Sequence, residues 1–171
     1  PMAIRDSVRE VMKPVLVSLR DAIRTMAEEW AEIPMLARTH GQPATPTRLG
    51  KEMAVFAERL DSELMTLMTM KYGGKFGGAT DNLNAHRVAY PGINWPEYAD
   101  RLLSVQLGLE RQQTTTQIEH YDGLAALFDC ISRINTIITD FCRDMWSYIS
   151  LDYFKQTIVK GEVGSSAMPH K

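Results

Sequence analysis

The chain has 171 residues, 44% of them hydrophobic, and its 19 basic and 21 acidic side chains give a formal net charge of −2. This nearly balanced charge gives no reason to expect nucleic acid or an anionic membrane as a partner. The length and apolar content predict one compact domain with a sizeable core, and no apolar run approaches the length of a transmembrane helix.

Residues 2–31 have the apolar period of an amphipathic helix, which we expect to pack in a core or bundle. Pro14 lies in the middle of this pattern. Because proline lacks an amide hydrogen, we expect it to kink the helix or to split it. The residues that carry the period are Ile4, Val8, Val11, Val15, Leu19, Ile23, Met26 and Trp30.

Residues 32–46 break the helical period, and their prolines and glycine predict a loop. Within it, Thr39 and His40 lie among further polar side chains in the segment Arg-Thr-His-Gly-Gln. A single loop histidine is more often without function than not. A loop that concentrates these residue types is nevertheless unusual unless it meets a polar ligand, so both residues are candidates for a site.

A second helix is predicted from Leu49 to about Lys71, with Leu49, Met53, Phe56, Leu60, Leu64 and Leu67 as its apolar face. Residues 72–95 include glycines at positions 73, 74, 77 and 78. This composition is typical either of a flexible connection or of a turn that approaches a ligand closely. A short helix is predicted over residues 95–107, with Asn94 as its cap and Gly108 at its end.

Residues 114–119, Thr-Thr-Thr-Gln-Ile-Glu, form an extended, hydroxyl-rich approach to the last and longest helix. That helix has roughly 35 residues and a length of about 50 Å, more than a compact domain of this size covers. Apolar residues also lie beside its main stripe, so we expect it to associate with other copies of the chain. The main stripe is Leu124, Phe128, Ile131, Ile134, Ile138, Phe141, Met145 and Ile149, and the residues beside it are Leu127, Ile137, Trp146 and Tyr148.

Cys130 and Cys142 lie 12 residues apart in this helix. Their α-carbons are therefore about 18 Å apart along the axis, too far for a disulfide. We interpret both as buried thiols in a reducing compartment, and a cytoplasmic location is expected.

Residues 161–171, Gly-Glu-Val-Gly-Ser-Ser-Ala-Met-Pro-His-Lys, have no apolar period. Composition alone is typical of a polar linker. However, two adjacent hydroxyls, Ser165 and Ser166, precede Pro169, and Lys171 adds a positive charge. The segment therefore also fits a mobile loop that carries a nucleophile or base beside a cation.

The string Gly-Ser-Ser-Ala-Met-Pro-His-Lys at 164–171 resembles the signature loop of the fumarase/aspartase superfamily, and Thr-His-Gly-Gln-Pro-Ala at 39–44 resembles a second element. Within the superfamily the chain is most similar to the adenylosuccinate lyases, through Asn-Leu-Asn-Ala-His at 82–86 and Thr-Thr-Gln-Ile-Glu at 115–119. The usual Gly-Asn pair of the glycine-bearing turn falls on Thr80-Asp81 or is shifted to Asn82. No single residue of that turn is therefore assigned a role.

The resemblance implies an all-α fold, a long antiparallel helix bundle that associates through its helices. It further implies a homotetramer with active sites shared between subunits. Residues 1–171 would form the central helical domain of a longer lyase, with the amino- and carboxy-terminal domains absent. The implied partner is a small-molecule substrate, adenylosuccinate. Neither a cofactor nor a metal, nucleic acid or membrane is implied.

The implied reaction is the elimination of fumarate from adenylosuccinate, giving AMP, and from succinylaminoimidazole carboxamide ribotide in purine biosynthesis. His40 is implied as the general acid for the departing nitrogen. Ser165 is implied as the general base that takes a proton from the carbon beside a carboxylate. Four further residues are implied in substrate binding: Thr39, Gln117, Ser166 and Lys171.

Two alternatives stay open. The chain could be another superfamily lyase, such as argininosuccinate lyase, fumarase, aspartase or a carboxymuconate cycloisomerase. The Thr-Thr-Gln-Ile-Glu string and His170 favour adenylosuccinate lyase, although the cycloisomerases can also carry Met-Pro-His-Lys. The chain could instead be a catalytically idle structural protein like the lens crystallins of this superfamily. The presence of His40, Ser165 and Lys171 argues against that reading.

Overall fold

The computed structural model of the chain describes residues 1–157, 159–161 and 167, and the chain divides into two compact units, residues 1–137 and 138–171. The fold is the expected all-α bundle with two small two-stranded sheets added. The helices are α1 (Met2–Ser7), α2 (Lys13–Glu29), α3 (Leu49–Thr69), α4 (Asn84–Ala89), α5 (Trp95–Arg101) and α6 (Asp122–Ser150), with π-helical turns at Val8–Met12 and Leu102–Gln106. The strands are β1 (Pro34–Thr39), β2 (Gln42–Arg48), β3 (Gly73–Gly74) and β4 (Glu110–Arg111).

The first helical segment is interrupted next to Pro14, which confirms the predicted irregularity. The π-helical turn Val8–Met12 joins α1 to α2, and Pro14 lies in the first turn of α2. Because proline cannot donate to the carbonyl one turn earlier, the hydrogen-bond pattern changes on its N-terminal side. The Arg5 guanidinium fixes α1 by donating to the carbonyl oxygen of Leu107 and, at 3.3 Å, to that of Gly108.

The predicted loop over residues 32–46 is wrong, because most of this stretch is a β-hairpin. Strand β1 pairs antiparallel with β2, from Pro34 opposite Arg48 to Thr39 opposite Gln42. Each strand of this hairpin pairs with the other along one edge. A proline therefore fits at positions where its backbone nitrogen faces away from the paired strand, because no hydrogen bond is lost there. The prolines that suggested a loop are therefore compatible with the two-stranded sheet.

The helical core begins where α3 returns along α2. Gly50 lies so close to α2 that an added Cβ would be 2.2 Å from the Ala27 carbonyl oxygen. Further along the pair, Arg20 and Arg24 of α2 both bind the carboxylate of Asp61 in α3. Because these contacts occur in opposite order along the two helices, α2 and α3 are antiparallel.

The two helices differ in how well their periods predicted the buried face. In α2, Ile23 of the predicted face is buried, whereas Val15 of the same face is 65% exposed. Leu16, which is not on the predicted face, is buried. Val11, in the π-helical turn, is also 65% exposed. In α3 the prediction is confirmed in full, with burial of Leu49, Met53, Phe56, Leu60, Leu64 and Leu67.

The first part of α6 packs against α3 in the first unit. The Glu63 carboxylate accepts hydrogen bonds from Arg133 Nε at 3.0 Å and from Cys130 Sγ at 3.4 Å. The helix has 29 residues, fewer than predicted. Its buried face coincides only in part with the predicted stripe, because Ile134 of that stripe is buried whereas Phe128 is 56% exposed. The buried residues are Leu127, Cys130, Ile134 and Ile137, which follow one edge of a wide apolar surface.

The prediction of two buried cysteines is half wrong. Both thiols are free, but Cys130 is buried and Cys142 is exposed. A separation of 12 residues rotates a position by about 120° around an α-helix, so the two side chains cannot share one face. Burial raises the pKa of the Cys130 thiol to about 11.

The second unit contains the end of α6 and the residues that follow it. The amides of Tyr153 and Phe154 donate to the Tyr148 carbonyl oxygen at 2.9 and 3.2 Å, so the chain folds back on the last turn of the helix. The ring centroids of Tyr148 and Tyr153 are 6.0 Å apart. Across the described part of the chain, none of the helices combines the length and the apolar character needed to cross a membrane.

Candidate active site

The tip of the β1–β2 hairpin presents the predicted pair Thr39 and His40. His40 and Gly41 form a two-residue connection with φ values of 50° and 73°. A type I′ turn needs positive φ at both positions, which glycine adopts without strain and histidine tolerates better than most residues. Arg38 donates to the Gly41 carbonyl oxygen at 3.3 Å and braces the turn. The local sequence thus fixes the backbone from which the His40 side chain projects.

Both side chains at this tip are exposed. In the part of the chain that the structure describes, neither the Thr39 hydroxyl nor the His40 imidazole takes part in a hydrogen bond. An exposed imidazole on a well-defined turn is accessible to a substrate. The geometry is therefore compatible with the acid role predicted for His40.

A tight turn at residues 77–83 forms the second element of the site. The Leu83 amide donates to the Gly77 carbonyl oxygen at 2.9 Å, and the Asp81 amide donates to that of Gly78 at 3.3 Å. Three residues of the turn have positive φ: Gly78 (79°), Asp81 (62°) and Leu83 (59°). Because Asp81 holds a conformation that favours glycine, the turn favours the register in which Asp81 replaces the usual glycine and Asn82 follows as the asparagine.

The third element is the loop at residues 112–121, which presents Gln117. The Gln112 side-chain amide donates to Glu119 Oε1 at 2.5 Å, and the Tyr121 amide donates to Glu119 Oε2 at 2.9 Å. The His120 amide donates back to Gln112 Oε1 at 3.3 Å. These bonds close the base of the loop and leave the Gln117 side chain exposed. The exposed amide offers both a donor and an acceptor to a ligand.

A glycine lies where this loop meets the strand β3. A Cβ on Gly73 would be 2.8 Å from Glu119 Oε1 and 3.0 Å from Gln112 Nε2. The Gly73 backbone therefore lies directly against the closed base of the Gln117 loop. The parallel pairing of β3 with β4 brings the two segments together, with Gly73 opposite Glu110 and Gly74 opposite Arg111.

A buried arginine supports the start of the same loop. Arg111, whose side chain is 6% exposed, donates to Asp100 Oδ1 at 3.1 Å and to the Pro96 carbonyl oxygen at 3.2 Å. Gln113 donates to the same carboxylate oxygen at 3.0 Å. The hydrogen bond from Arg111, with that from Gln113, lowers the pKa of the Asp100 carboxyl. This network ties α5 to the loop and keeps its charges paired.

An aromatic cluster lies beside the tight turn. The His86 ring centroid is 5.0 Å from those of both Phe76 and Trp95, and the Trp95 and Tyr98 centroids are 5.4 Å apart. The cap of α5 at Asn94, whose side chain accepts from the Glu97 amide at 3.5 Å, confirms the predicted helix start and orients Trp95. Ring packing of this kind gives the glycine-rich segment a rigid support.

The predicted site residues fall into three groups in the structure. Gln117 lies in a loop that the tight turn contacts directly, since the Thr115 amide donates to Asp81 Oδ2 at 3.1 Å. Thr39 and His40 lie on the separate hairpin, and their side chains form no hydrogen bond with either loop among the described residues. Ser165, Ser166 and Lys171 lie outside the described residues, so their predicted roles stay predictions.

Sequence reasoning missed the residues that hold the Gln117 loop. Asp81, Gln112 and Glu119 all contact the loop, but none was selected as a site residue. Asp81 carried a partial signal, since it lies in the turn where the usual Gly-Asn pair falls on Thr80-Asp81 or is shifted to Asn82. Gln112 carried none, because its partner Glu119 is seven residues away in irregular backbone. Within the described residues, no group of three or more His, Cys, Asp or Glu side chains has an arrangement that could hold a metal ion.

Comparison with known proteins places these elements in a family. A family model described as Lyase matches residues 1–171. The adenylosuccinate lyase of Dictyostelium discoideum is 53% identical over 100% of this chain and 37% of its own length. That of Escherichia coli (strain K12) is 47% identical over 95% of the chain and 35% of its own length, and that of Vibrio cholerae serotype O1 is 43% identical over 99% and 37%. The chain thus spans little more than a third of the length of these curated relatives. It belongs to the lyase family, as its resemblance to the fumarase/aspartase superfamily predicted.

Proposed function

We propose that the chain is the central helical domain of an adenylosuccinate lyase. The observation that carries this proposal is the 53% identity to the Dictyostelium enzyme over the whole chain, together with the identities of 47% and 43% to bacterial enzymes of that name. The reaction would be the elimination of fumarate from adenylosuccinate and from succinylaminoimidazole carboxamide ribotide. A cytoplasmic location and a role in purine biosynthesis follow from the same proposal.

In this proposal His40 donates a proton to the nitrogen that leaves the succinyl group. The type I′ turn supports the assignment, because it fixes the backbone at His40 while leaving the imidazole exposed. A positioned acid or base typically contributes about 10²–10⁴-fold to a rate. Thr39, the preceding residue and the partner of Gln42 across the hairpin, would orient the substrate beside His40.

The proton on the carbon beside the carboxylate would go to Ser165. That carbon is a weak acid, so the negative charge that develops on the carboxylate needs cations and aligned donors. Lys171 would supply the cation, and Ser166 would hold a substrate carboxylate. A serine acts as a base only in a dry site, so the proposal requires water to be excluded around Ser165 when the substrate is bound.

Gln117 would bind the substrate through its side-chain amide. Support comes from its exposed position and from the closed base of its loop, where Gln112 and Glu119 are joined. A loop that is ordered before binding loses less entropy when the substrate arrives. The proposal thus gives the loop a binding role and the hairpin tip a proton-transfer role.

We further propose that the full-length protein is a homotetramer with shared active sites. Among the residues that the structure describes, Thr39 and His40 form no hydrogen bond with the Gln117 loop, which fits a site assembled from more than one copy. Large apolar side chains are also exposed on the helices of the single chain, and apolar surface of this kind is typical of obligate interfaces. They include Val15 at 65%, Met65 at 61%, Met68 at 54% and Phe128 at 56%.

Direct assay of the full-length protein tests the activity. Purified protein is incubated with adenylosuccinate, and the reaction is followed at a wavelength where the ultraviolet spectrum of the substrate differs from that of AMP. We expect conversion to AMP and fumarate, and little or none by the His40→Gln variant. Turnover of argininosuccinate, malate or aspartate instead would assign another superfamily activity. A folded protein that converts none of them would favour a structural role.

Sedimentation at micromolar concentration tests the assembly. The expected species is a tetramer with interfaces larger than about 2,000 Å². A monomer mass would overturn the shared-site proposal but not the assignment of the reaction. Residues 1–171 alone are expected to be inactive, because the motifs found in them provide no evident anchor for the substrate phosphate.

A further inference from the structure

The Asp81 side chain joins the tight turn at residues 77–83 to the Gln117 loop. The Thr115 amide donates to Asp81 Oδ2 at 3.1 Å, although the two residues are 34 positions apart. Thr115 is 8% exposed, and Gln117 follows two residues later with an exposed side chain. The hydrogen bond therefore fixes a buried backbone point directly beside the exposed tip.

The turn is shaped to hold the Asp81 carboxylate in this place. Asp81 has a φ of 62°, a conformation that side-chain-bearing residues seldom adopt and that persists only when its surroundings determine it. A Cβ on Gly77 would be 1.8 Å from Asp81 Oδ1, so the carboxylate fits only because residue 77 has no side chain. The backbone of the turn thus leaves the space that the Asp81 carboxylate occupies.

The Asp81 carboxylate is engaged within the protein. Asp81 Oδ1 is buried and has no hydrogen-bond partner among the described residues, and Oδ2 accepts from Thr115. These positions point to the loop as the route by which Asp81 would affect a bound substrate. The base of that loop is closed separately, by the bond between Gln112 and Glu119 at 2.5 Å. Asp81 supplies a second attachment point, on the N-terminal side of Gln117.

We propose that Asp81 is a positioning residue that holds the backbone at Thr115 and so places the Gln117 amide for substrate binding. This inference rests on the proposed function, because it takes Gln117 to be a substrate-binding residue. Holding the loop in its binding conformation before the substrate arrives lowers the entropy lost on binding and keeps the reacting groups aligned.

The test uses three substitutions at one position in the full-length protein. Asp81→Asn keeps an oxygen acceptor and tolerates positive φ, so it should retain most of the activity. Asp81→Gly accepts the turn conformation without strain but removes the acceptor. It should keep the fold and lose about 10–100-fold in kcat/KM, mainly through KM, since small displacements of positioning groups have effects of this size. Asp81→Ala removes the acceptor and strains the turn, and should lose at least as much.

A double-mutant cycle asks whether Asp81 acts through Gln117. If it does, adding Asp81→Gly to Gln117→Ala should change kcat/KM by less than about twofold, because the group being positioned is already gone. If the double variant instead loses kcat/KM by the product of the two single-variant losses, the proposal is wrong. Kinetics of Asp81→Gly equal to those of the parent protein would overturn it as well.

Hydrogen exchange gives a readout that does not depend on turnover. The Thr115 amide should exchange faster in Asp81→Gly than in the parent protein, while the melting temperature and the exchange of α3 amides stay unchanged. Equal exchange at Thr115 in both proteins would show that Asp81 does not hold the loop. If the parent protein fails to convert adenylosuccinate, the proposed function falls, whereas faster exchange at Thr115 would still support the attachment of the loop by Asp81.

Discussion

Replacing Gly50 with alanine should destabilise the protein, although the same change usually stabilises a helix. Gly50 is the second residue of α3, and its backbone lies against α2. An added Cβ would be 2.2 Å from the Ala27 carbonyl oxygen and 2.7 Å from the Ala31 Cα. The first distance is about 1.2 Å below the 3.4 Å at which ordinary van der Waals contact begins.

The magnitude follows from two opposing effects. Alanine is favoured over glycine in a helix by about 1 kcal/mol, and less near a helix end. Overpacking of a filled contact typically costs about 1–3 kcal/mol, and here the obstructing atoms are backbone, which cannot turn aside. Since the two helices must move apart to admit the methyl group, we expect an overpacking cost at the upper end of this range, about 3 kcal/mol. After the helix-propensity gain is subtracted, the free energy of unfolding should fall by about 2 kcal/mol.

Gly123 provides a matched control, because it is likewise the second residue of a helix, α6. Its added Cβ would lie 3.5 Å from the Lys71 carbonyl oxygen, an ordinary contact. Gly123→Ala should therefore be neutral or stabilising by up to about 1 kcal/mol. Thermal melts of both variants at one fixed protein concentration measure the difference, since association makes melting temperatures concentration-dependent. A Gly50→Ala protein as stable as Gly123→Ala would refute the close approach of α2 and α3.

Four further substitutions test the site and the contact between α3 and α6 in the full-length protein. His40→Gln should keep the fold, because the side chain is exposed, and should lower turnover by about 10²–10⁴; normal turnover in steady-state kinetics would remove His40 from the mechanism. Ser165→Ala should lose about 10²-fold or more in turnover, while calorimetry should show that it still binds the substrate. Ser166→Ala should show more of its defect in KM. The reverse pattern would exchange the roles of the two serines. Glu63→Gln should be less stable than the parent protein at pH 7. The hydrogen bond from Arg133 lowers the Glu63 pKa below the ordinary 4.5, so this stabilisation is present above pH 4.5 and is lost as the pH falls through the folded-state pKa. Melting temperatures that differ by the same amount at pH 7 and at strongly acidic pH would contradict the ion pair.

The helices show which parts of the fold a sequence pattern can predict. All six predicted residues of α3 are buried, so the period of this helix identified its buried face. The period of α6 identified a helix but only part of its buried face. Because apolar residues lie around much of its circumference, the pattern alone does not select the face, and Leu127 and Cys130 are buried whereas Phe128 is exposed.

The hairpin and the loop supports were harder to predict for different reasons. Prolines at 43 and 46 are ordinary loop signals, and only the pairing with β1 shows that these positions lie on a free edge. The pair His40-Gly41 held a usable signal for a two-residue turn. The Asp81 contact, in contrast, depends on a backbone conformation and on a partner 34 residues away, which no local pattern encodes.

The bonds from Arg5 to Leu107 and Gly108 span 102 and 103 residues, which sets an order of events during synthesis. The α2–α3 pair needs only the chain up to Thr69, and its contacts, such as Arg20 with Asp61 across 41 residues, close early. Gly108 follows 39 residues after Thr69. At about 5–20 residues per second, that interval is roughly 2–8 s. Limited proteolysis of stalled nascent chains should find α2 and α3 protected before α1, and simultaneous protection would contradict this order. Helix α1 would therefore leave the ribosome before α2 and α3 but be fixed after them, so a chaperone has several seconds in which to bind it.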